Sequence, residues 1–157
     1  MSEGSTRAAL KLWIVLARAQ RAIQQHAEED VARHDLTLAE FAVLEALYHR
    51  GELLVGELQK KVLVSSGGMT WLVNRLMERG LVQRRACTED RRNRYAALTP
   101  AGKRLMKRIF PAHGERIDQA MRALTVTERV QVAELLKKLG LDAAVMLQDE
   151  ALIEETS

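Results

Sequence analysis

A chain of 157 residues, 47% hydrophobic and 29% charged, is long enough to bury the core of one globular domain and has an ordinary soluble composition. One cysteine excludes an intrachain disulfide and suits a reducing cytoplasm; aromatics at 4%, with Leu, Ala, Glu, Arg and Val dominant, lean the chain toward helix. The first ten residues lack the basic and apolar regions of a secretory leader, and no apolar run approaches the roughly 18 residues that a membrane span needs.

Residues 5–33 read as one long helix, because Leu12, Leu16, Ala19 and Ile23 fall on a single stripe and neither Pro nor Gly interrupts it. "LTLAEF" opens a second helix. Thr37 is its cap, Glu40 closes a capping box and Leu36 staples onto Phe41, while "HRG" ends it with basic residues and Gly51. "LLVGELQKKV" gives a brief extended piece and a short third helix. "SSGGMTWLVNRLMERG" is a fourth, capped by Ser65 or Ser66 and closed at Gly80. The period then changes from 3.6 to 2: "LVQRRA" and "RYAALT" are strands separated by "CTEDRRN". Thr99 and Pro100 start a fifth helix that should kink at Pro111. Thr125 and Glu128 cap a sixth that should close at "KKLG", with an acidic tail helical for part of its length. The fold class is mainly α with a small β-hairpin wing: a winged helix-turn-helix over residues 36–99, and a helical dimerisation region from 5–35 and 100–152 that completes one structural unit.

The net charge of +3 says less than its placement. Residues 75–94 hold seven arginines (Arg75, Arg79, Arg84, Arg85, Arg91, Arg92, Arg94) against Glu78, Glu89 and Asp90, a local +4 that leaves the rest of the chain at −1. Concentrated basic charge on a neutral body is the footprint of a polyanion binder. A solvated charged face is the blander reading, and the fourth helix argues against it. At 100° per residue Met69, Leu72, Val73 and Leu76 point inward, while Gly67, Thr70, Trp71 and Asn74 share the other face. Asn74 can address adenine at two points and the Thr70 methyl can touch thymine. Ser65 and Ser66, with the helix amides, suit phosphate oxygens. Gly67 and Gly68 admit close backbone approach, or are simply poor helix formers at a helix start. Trp71 either meets DNA or packs sideways against the wing. Arg75 completes the face, and Arg84 and Arg85 on the incoming strand suit phosphates. At the wing tip Arg91 and Arg92 reach a minor groove, with Asp90 holding a neighbouring guanidinium in place.

Residues 36–110 resemble the MarR family of bacterial winged-helix regulators. The resemblance is carried by "LTLAEFAVLEALYHRG", "VGELQKKVLVSSGGMTWLVNRLMERGLVQRR", the "EDRR" wing at 89–92 and "LTPAGKRL". It implies a cytoplasmic homodimer on double-stranded operator DNA that usually represses nearby genes. It also implies release by a small effector, often phenolic or another anionic aromatic, from a pocket between the dimer helices and the DNA-binding lobe. Trp13, Phe41 and Tyr48 are the aromatics nearest such a junction, though each also reads as core. "VLVSSGGMT", "RACTEDRRNRYAALT" and "IFPAH" look like the subgroup associated with hydroquinone- or phenol-type stress.

Other readings stand beside this one. His26, Asp30 and His34 share a helix face and could seed a metal site, but no Cys or further His completes it; no metal or other cofactor is expected. His49 and His113 read as helix-end and surface residues. Cys87 lies among arginines that favour its thiolate, and either serves as a thiol switch or is passive. A constitutive architectural DNA binder is the remaining class. An enzyme finds no support: there is no phosphate loop, catalytic triad order or metal quartet.

Overall fold

The computed structural model describes residues 3–62, 66–90 and 92–155. Its elements follow the order α1 (Glu3–Ala32), α2 (Leu38–Arg50), β1 (Leu53–Leu54), α3 (Val55–Val62), α4 (Ser66–Glu78), β2 (Val82–Ala86), β3 (Arg94–Leu98), α5 (Pro100–Ala120) and α6 (Val126–Glu155). The chain divides into two compact units, residues 1–118 and 119–157.

In the first unit each helix of the lobe starts and stops for a local reason. Thr37 Oγ1 accepts from the Glu40 N–H at 3.1 Å and a Glu40 carboxylate oxygen accepts from the Thr37 N–H at 2.8 Å, which satisfies two orphan donors at the start of α2. At its end Gly51, at φ +77°, donates back to the Leu47 carbonyl. The apolar faces then close on one core. Phe41, Val43 and Leu44 of α2, Leu58 of α3, and Met69, Leu72, Val73 and Leu76 of α4 are all buried. The inward stripe expected for the fourth helix is therefore observed residue for residue.

The wing is a three-stranded antiparallel sheet in the order β1-β3-β2, so the short extended piece before α3 is a true edge strand. Val82 pairs with Leu98, Arg84 with Ala96 and Arg85 with Tyr95. Alternation and register put Val82, Ala96 and Leu98 on one face, in the core, while Arg84, further along the edge strand β2, is exposed. Between sheet and α5, Thr99 donates its hydroxyl to the Gly80 carbonyl at 2.6 Å and accepts from the Gly102 N–H at 3.1 Å. Gly102 has no alternative there, because a methyl group would sit 2.1 Å from the Leu81 carbonyl oxygen.

Helix α5 continues through Pro111 to Ala120. His113 corrects the sequence reading. It is buried rather than at the surface, its Nδ1 lies 2.9 Å from Asp30 Oδ2 of α1, and its ring packs 4.3 Å from that of Phe41. A buried carboxylate requires a partner, and α1 and α5 supply one to each other. Only the last turns of α1 are packed, through Ala27, Asp30 and Val31; Leu10, Leu12, Trp13, Ile14 and Val15 are exposed.

In the second unit the capping box of α6 forms, with the Thr125 N–H donating to Glu128 at 2.8 Å and the Glu128 N–H to Thr125 Oγ1 at 3.3 Å. That helix does not close at Gly140 as expected but continues to Glu155. A helix-interior glycine costs only about 1 kcal/mol, which a thirty-residue helix absorbs.

Candidate nucleic-acid interface

Burying Met69, Leu72, Val73 and Leu76 turns the other side of α4 outward. Gly67, Thr70, Trp71, Asn74 and Arg75 are exposed and Gly68 half-buried. Trp71, 57% exposed, is not packed away against the wing, and the Arg75 guanidinium lies 5.4 Å from its ring centroid. Ser66 begins the helix, while Ser65 and Arg91 lie outside the described residues.

Arg75 is fixed from behind. Its Nε donates to Glu40 Oε1 at 2.6 Å, and Arg79 Nη1 lies 3.8 Å from Glu40 Oε2 while donating to the Asp35 carbonyl at 2.7 Å. Glu40 is fully buried. Burial pushes its carboxyl pKa up, but the Thr37 N–H, the Arg75 guanidinium and the Thr37 hydroxyl together hold it below the ordinary glutamate value. The glutamate that sequence places in a cap thus also anchors the recognition helix.

On the wing, Arg84 and Arg92 are exposed. Arg85 takes a partner that sequence did not name: its Nε and Nη2 donate to the two oxygens of Glu52 at 3.1 and 2.7 Å, and its guanidinium stacks 4.7 Å from the Tyr95 ring centroid. Each ion stabilises the other's charged form, so the Glu52 carboxyl is lowered chiefly by the Arg85 hydrogen bond and the Arg85 guanidinium raised chiefly by Glu52. Of the guanidinium groups that Asp90 was expected to hold, that of Arg91 lies outside the described residues; the contacts of Asp90 with described residues lie within the turn. One carboxylate oxygen accepts from the Arg92 backbone N–H at 2.9 Å and the other from the Asn93 side-chain amide at 3.3 Å, while its carbonyl accepts from the Asn93 N–H at 3.1 Å. It shapes the main chain of the turn at Arg92 and Asn93. Below the tip Cys87 is buried, and the neighbouring Cys87 sulfur is the main reason that the Tyr95 hydroxyl's pKa is raised.

The aromatics singled out for a ligand pocket are not gathered. Trp13 is 70% exposed on α1, and Phe41 is a core residue at 2%. Tyr48 is partly exposed and packs 5.9 Å from Phe110, which in turn meets His49 at 4.7 Å. Of the suggested metal triplet, Asp30 is engaged by His113, and among the described residues no group of three or more His, Cys, Asp or Glu side chains is gathered for a metal. No helix among them is long and apolar enough to cross a membrane.

Comparison with known proteins agrees with this geometry. The family model for the MarR family matches residues 34–93. The HTH-type transcriptional regulator MhqR of Bacillus subtilis (strain 168) is 40% identical over 138 residues, 88% of this chain and 95% of that protein. The crystal structure of AbsC, a MarR family transcriptional regulator from Streptomyces coelicolor, is similar with a TM-score of 0.80 at 20% identity, covering 92% of this chain and 97% of that one. BpsR of Bordetella bronchiseptica, in a structure concerning regulation of its DNA binding by 6-hydroxynicotinic acid, gives a TM-score of 0.73 at 29% identity over 83% of this chain and 98% of that one. A winged helix-turn-helix with an outward recognition face, aligned along most of its length with a known regulator, identifies the protein: the chain is not an enzyme but belongs to the MarR family of DNA-binding transcriptional regulators.

Proposed function

We propose that this regulator acts as a homodimer, represses from a pseudo-palindromic operator and is released by a small phenolic or other aromatic effector. The observation that carries the reading is apolar surface left uncovered on both terminal helices. On α1, Leu12 is 51% and Ile14 48% exposed; on α6, Leu135 is 67% and Leu141 62% exposed. Exposed leucines in a row along a long helix are unusual in a soluble monomer and mark a surface that another chain covers. Residues 36–99 then serve as the DNA-binding lobe, and 5–35 with 100–152 as the dimerisation region.

Two-fold symmetry sets the DNA requirement: each protomer lays α4 into a major groove, and the half-sites lie about one helical turn apart. Thr70 and Asn74 read base edges, the amides beginning α4 with Ser65 and Ser66 meet phosphates, and Arg91 and Arg92 enter the adjacent minor groove. The effector reading is supported by the likeness to BpsR, whose ligand is a hydroxylated aromatic acid. Partly exposed Tyr48, with Phe110 and His49, offers aromatic surface of the kind such a ligand uses.

The test is to sequence duplexes selected by the purified protein from random DNA, then measure stoichiometry and ligand release on the recovered site. A symmetric site occupied by a dimer, and released by hydroquinone- or hydroxybenzoate-type compounds, is the expected result. Sedimentation as a monomer at micromolar concentration rejects the dimer. Equal affinity for selected and random DNA, indifferent to every aromatic tested, points instead to an architectural protein.

A further inference from the structure

A capping box needs only one oxygen from the residue at its third position, and glutamine serves there as well as glutamate. Glu40 has a second oxygen, and Arg75 takes it across 35 residues of sequence at 2.6 Å. The two partners differ sharply in environment: the Glu40 side chain is 0% exposed and that of Arg75 is 49% exposed. Stability alone does not call for a carboxylate here: the contacts outweigh its desolvation, yet a glutamine would fill the cap without burying a charge at all.

The geometry does have a use at a DNA surface. A guanidinium is a rigid fork, so engaging Nε fixes its plane, and with it the direction of the end-on edge at which the two terminal nitrogens present a pair of N–H donors. Trp71, one turn earlier, flanks the same guanidinium at 5.4 Å. Arg75 also stands at a particular place on α4. At 100° per residue it lies at the border between outward Trp71 and Asn74 and inward Leu72 and Leu76. The centre of the outward face meets the groove floor; its border meets the sugar-phosphate wall.

We infer that Glu40 is a positioning residue for DNA binding, which holds the Arg75 guanidinium for bidentate contact with a phosphate at the edge of the groove. The inference rests on the operator reading above. It opposes the simple electrostatic expectation: removing a buried negative charge next to a DNA-binding surface ought to tighten binding, whereas removing a positioning group loosens it.

The experiment uses the full-length protein on its selected operator and on random duplex, over a range of salt. Arg75→Ala is expected to weaken both DNAs alike, roughly tenfold, as loss of a charged hydrogen-bonded contact does, and to reduce the dimer's salt slope by about two. Glu40→Gln keeps the cap and is expected to weaken binding several-fold despite the added positive charge. In the double variant, Glu40→Gln is expected to have no further effect, because it acts only through Arg75. Arg75→Lys keeps the charge but not the fork and is expected to recover little affinity. It tests the clamp from its exposed side should Glu40→Gln lower the melting temperature. The inference is overturned if Glu40→Gln binds as tightly as the wild type or more so, if its effect persists undiminished beside Arg75→Ala, or if Arg75→Lys binds like the wild type. A wild type that prefers no sequence at all overturns the operator reading too, and is recognised before any variant is compared.

Discussion

Helices α4 and α6 are both rich in Leu, Val and Met, yet they treat those side chains in opposite ways. On α4 the four inward residues are at most 4% exposed, whereas on α6 Leu135, Leu139, Leu141 and Val145 are between 44% and 67% exposed. The first helix is finished within one chain, since packing against α2, α3 and the sheet covers its apolar stripe and leaves the other face exposed. The second carries apolar surface far beyond what its own helical propensity requires. The first helix is complete within one chain; the second leaves apolar surface that, on the proposed reading, a second copy covers.

The largest effect is expected where the lobe has no slack. Gly102→Ala forces a methyl against the Leu81 carbonyl, 2.1 Å away at ideal geometry, and backbone on both sides must shift. A loss of about 3 kcal/mol or more in denaturant unfolding is expected, at the upper end for overpacking. A change within about 0.5 kcal/mol, typical of surface sites, would falsify the tight junction between β2, β3 and α5.

The contrast predicts the reverse for α6. Leu135→Glu with Leu139→Glu should leave the circular dichroism of the lobe nearly unchanged while raising the dimer dissociation constant about a hundredfold or more, because two carboxylates must be desolvated in each half of the interface. Operator affinity should fall with it, as a monomer contacts only one half-site. Analytical ultracentrifugation across concentration reads this directly. A double variant still dimeric at nanomolar concentration moves the interface elsewhere.

The same contrast explains what was legible beforehand. The α4 stripe and the capping boxes at Thr37 and Thr125 depend on residues three or four apart, so periodicity and local chemistry reveal them. Asp30 with His113, Glu40 with Arg75 and Glu52 with Arg85 join residues 83, 35 and 33 positions apart. Nothing local marks those pairs, and His113 in particular reads as a surface histidine until α1 packs beside it. A charge count marks Asp90 but does not show the Arg92 N–H and the Asn93 amide that its carboxylate holds. Gly140 reads locally as a helix stop, but a thirty-residue helix outlasts one unfavourable residue.

A smaller effect should appear on acidification, and it tests how firmly α4 is tied to α2. The folded Glu40 carboxyl has a pKa below its unfolded value of about 4.3. Its contribution is therefore fully present above that value and is lost as pH falls through the lower, folded one. Unfolding free energy should drop over this acid window more steeply for the wild type than for Glu40→Gln. Parallel pH profiles for the two proteins would show that the Thr37 and Arg75 contacts are energetically idle.

The smallest effect concerns the wing tip, where two arguments of opposite sign meet. By charge alone, Asp90→Ala removes an acid beside Arg91 and Arg92, makes the tip more positive and should tighten DNA binding. The turn argues otherwise. Asp90 holds the Arg92 N–H and the Asn93 amide, and without those bonds the tip samples more backbone conformations that must be ordered again on the duplex. One hydrogen bond is worth about 1 kcal/mol, enough to outweigh a single screened surface charge. Operator affinity of Asp90→Ala is thus expected to fall several-fold at physiological salt. Asp90→Asn separates the two causes. It removes the charge but keeps an oxygen for the Arg92 N–H, so it should bind at least as tightly as the wild type. If Ala and Asn both tighten binding, Asp90 only dilutes positive charge; if both weaken it equally, the carboxylate's charge matters and the turn geometry does not.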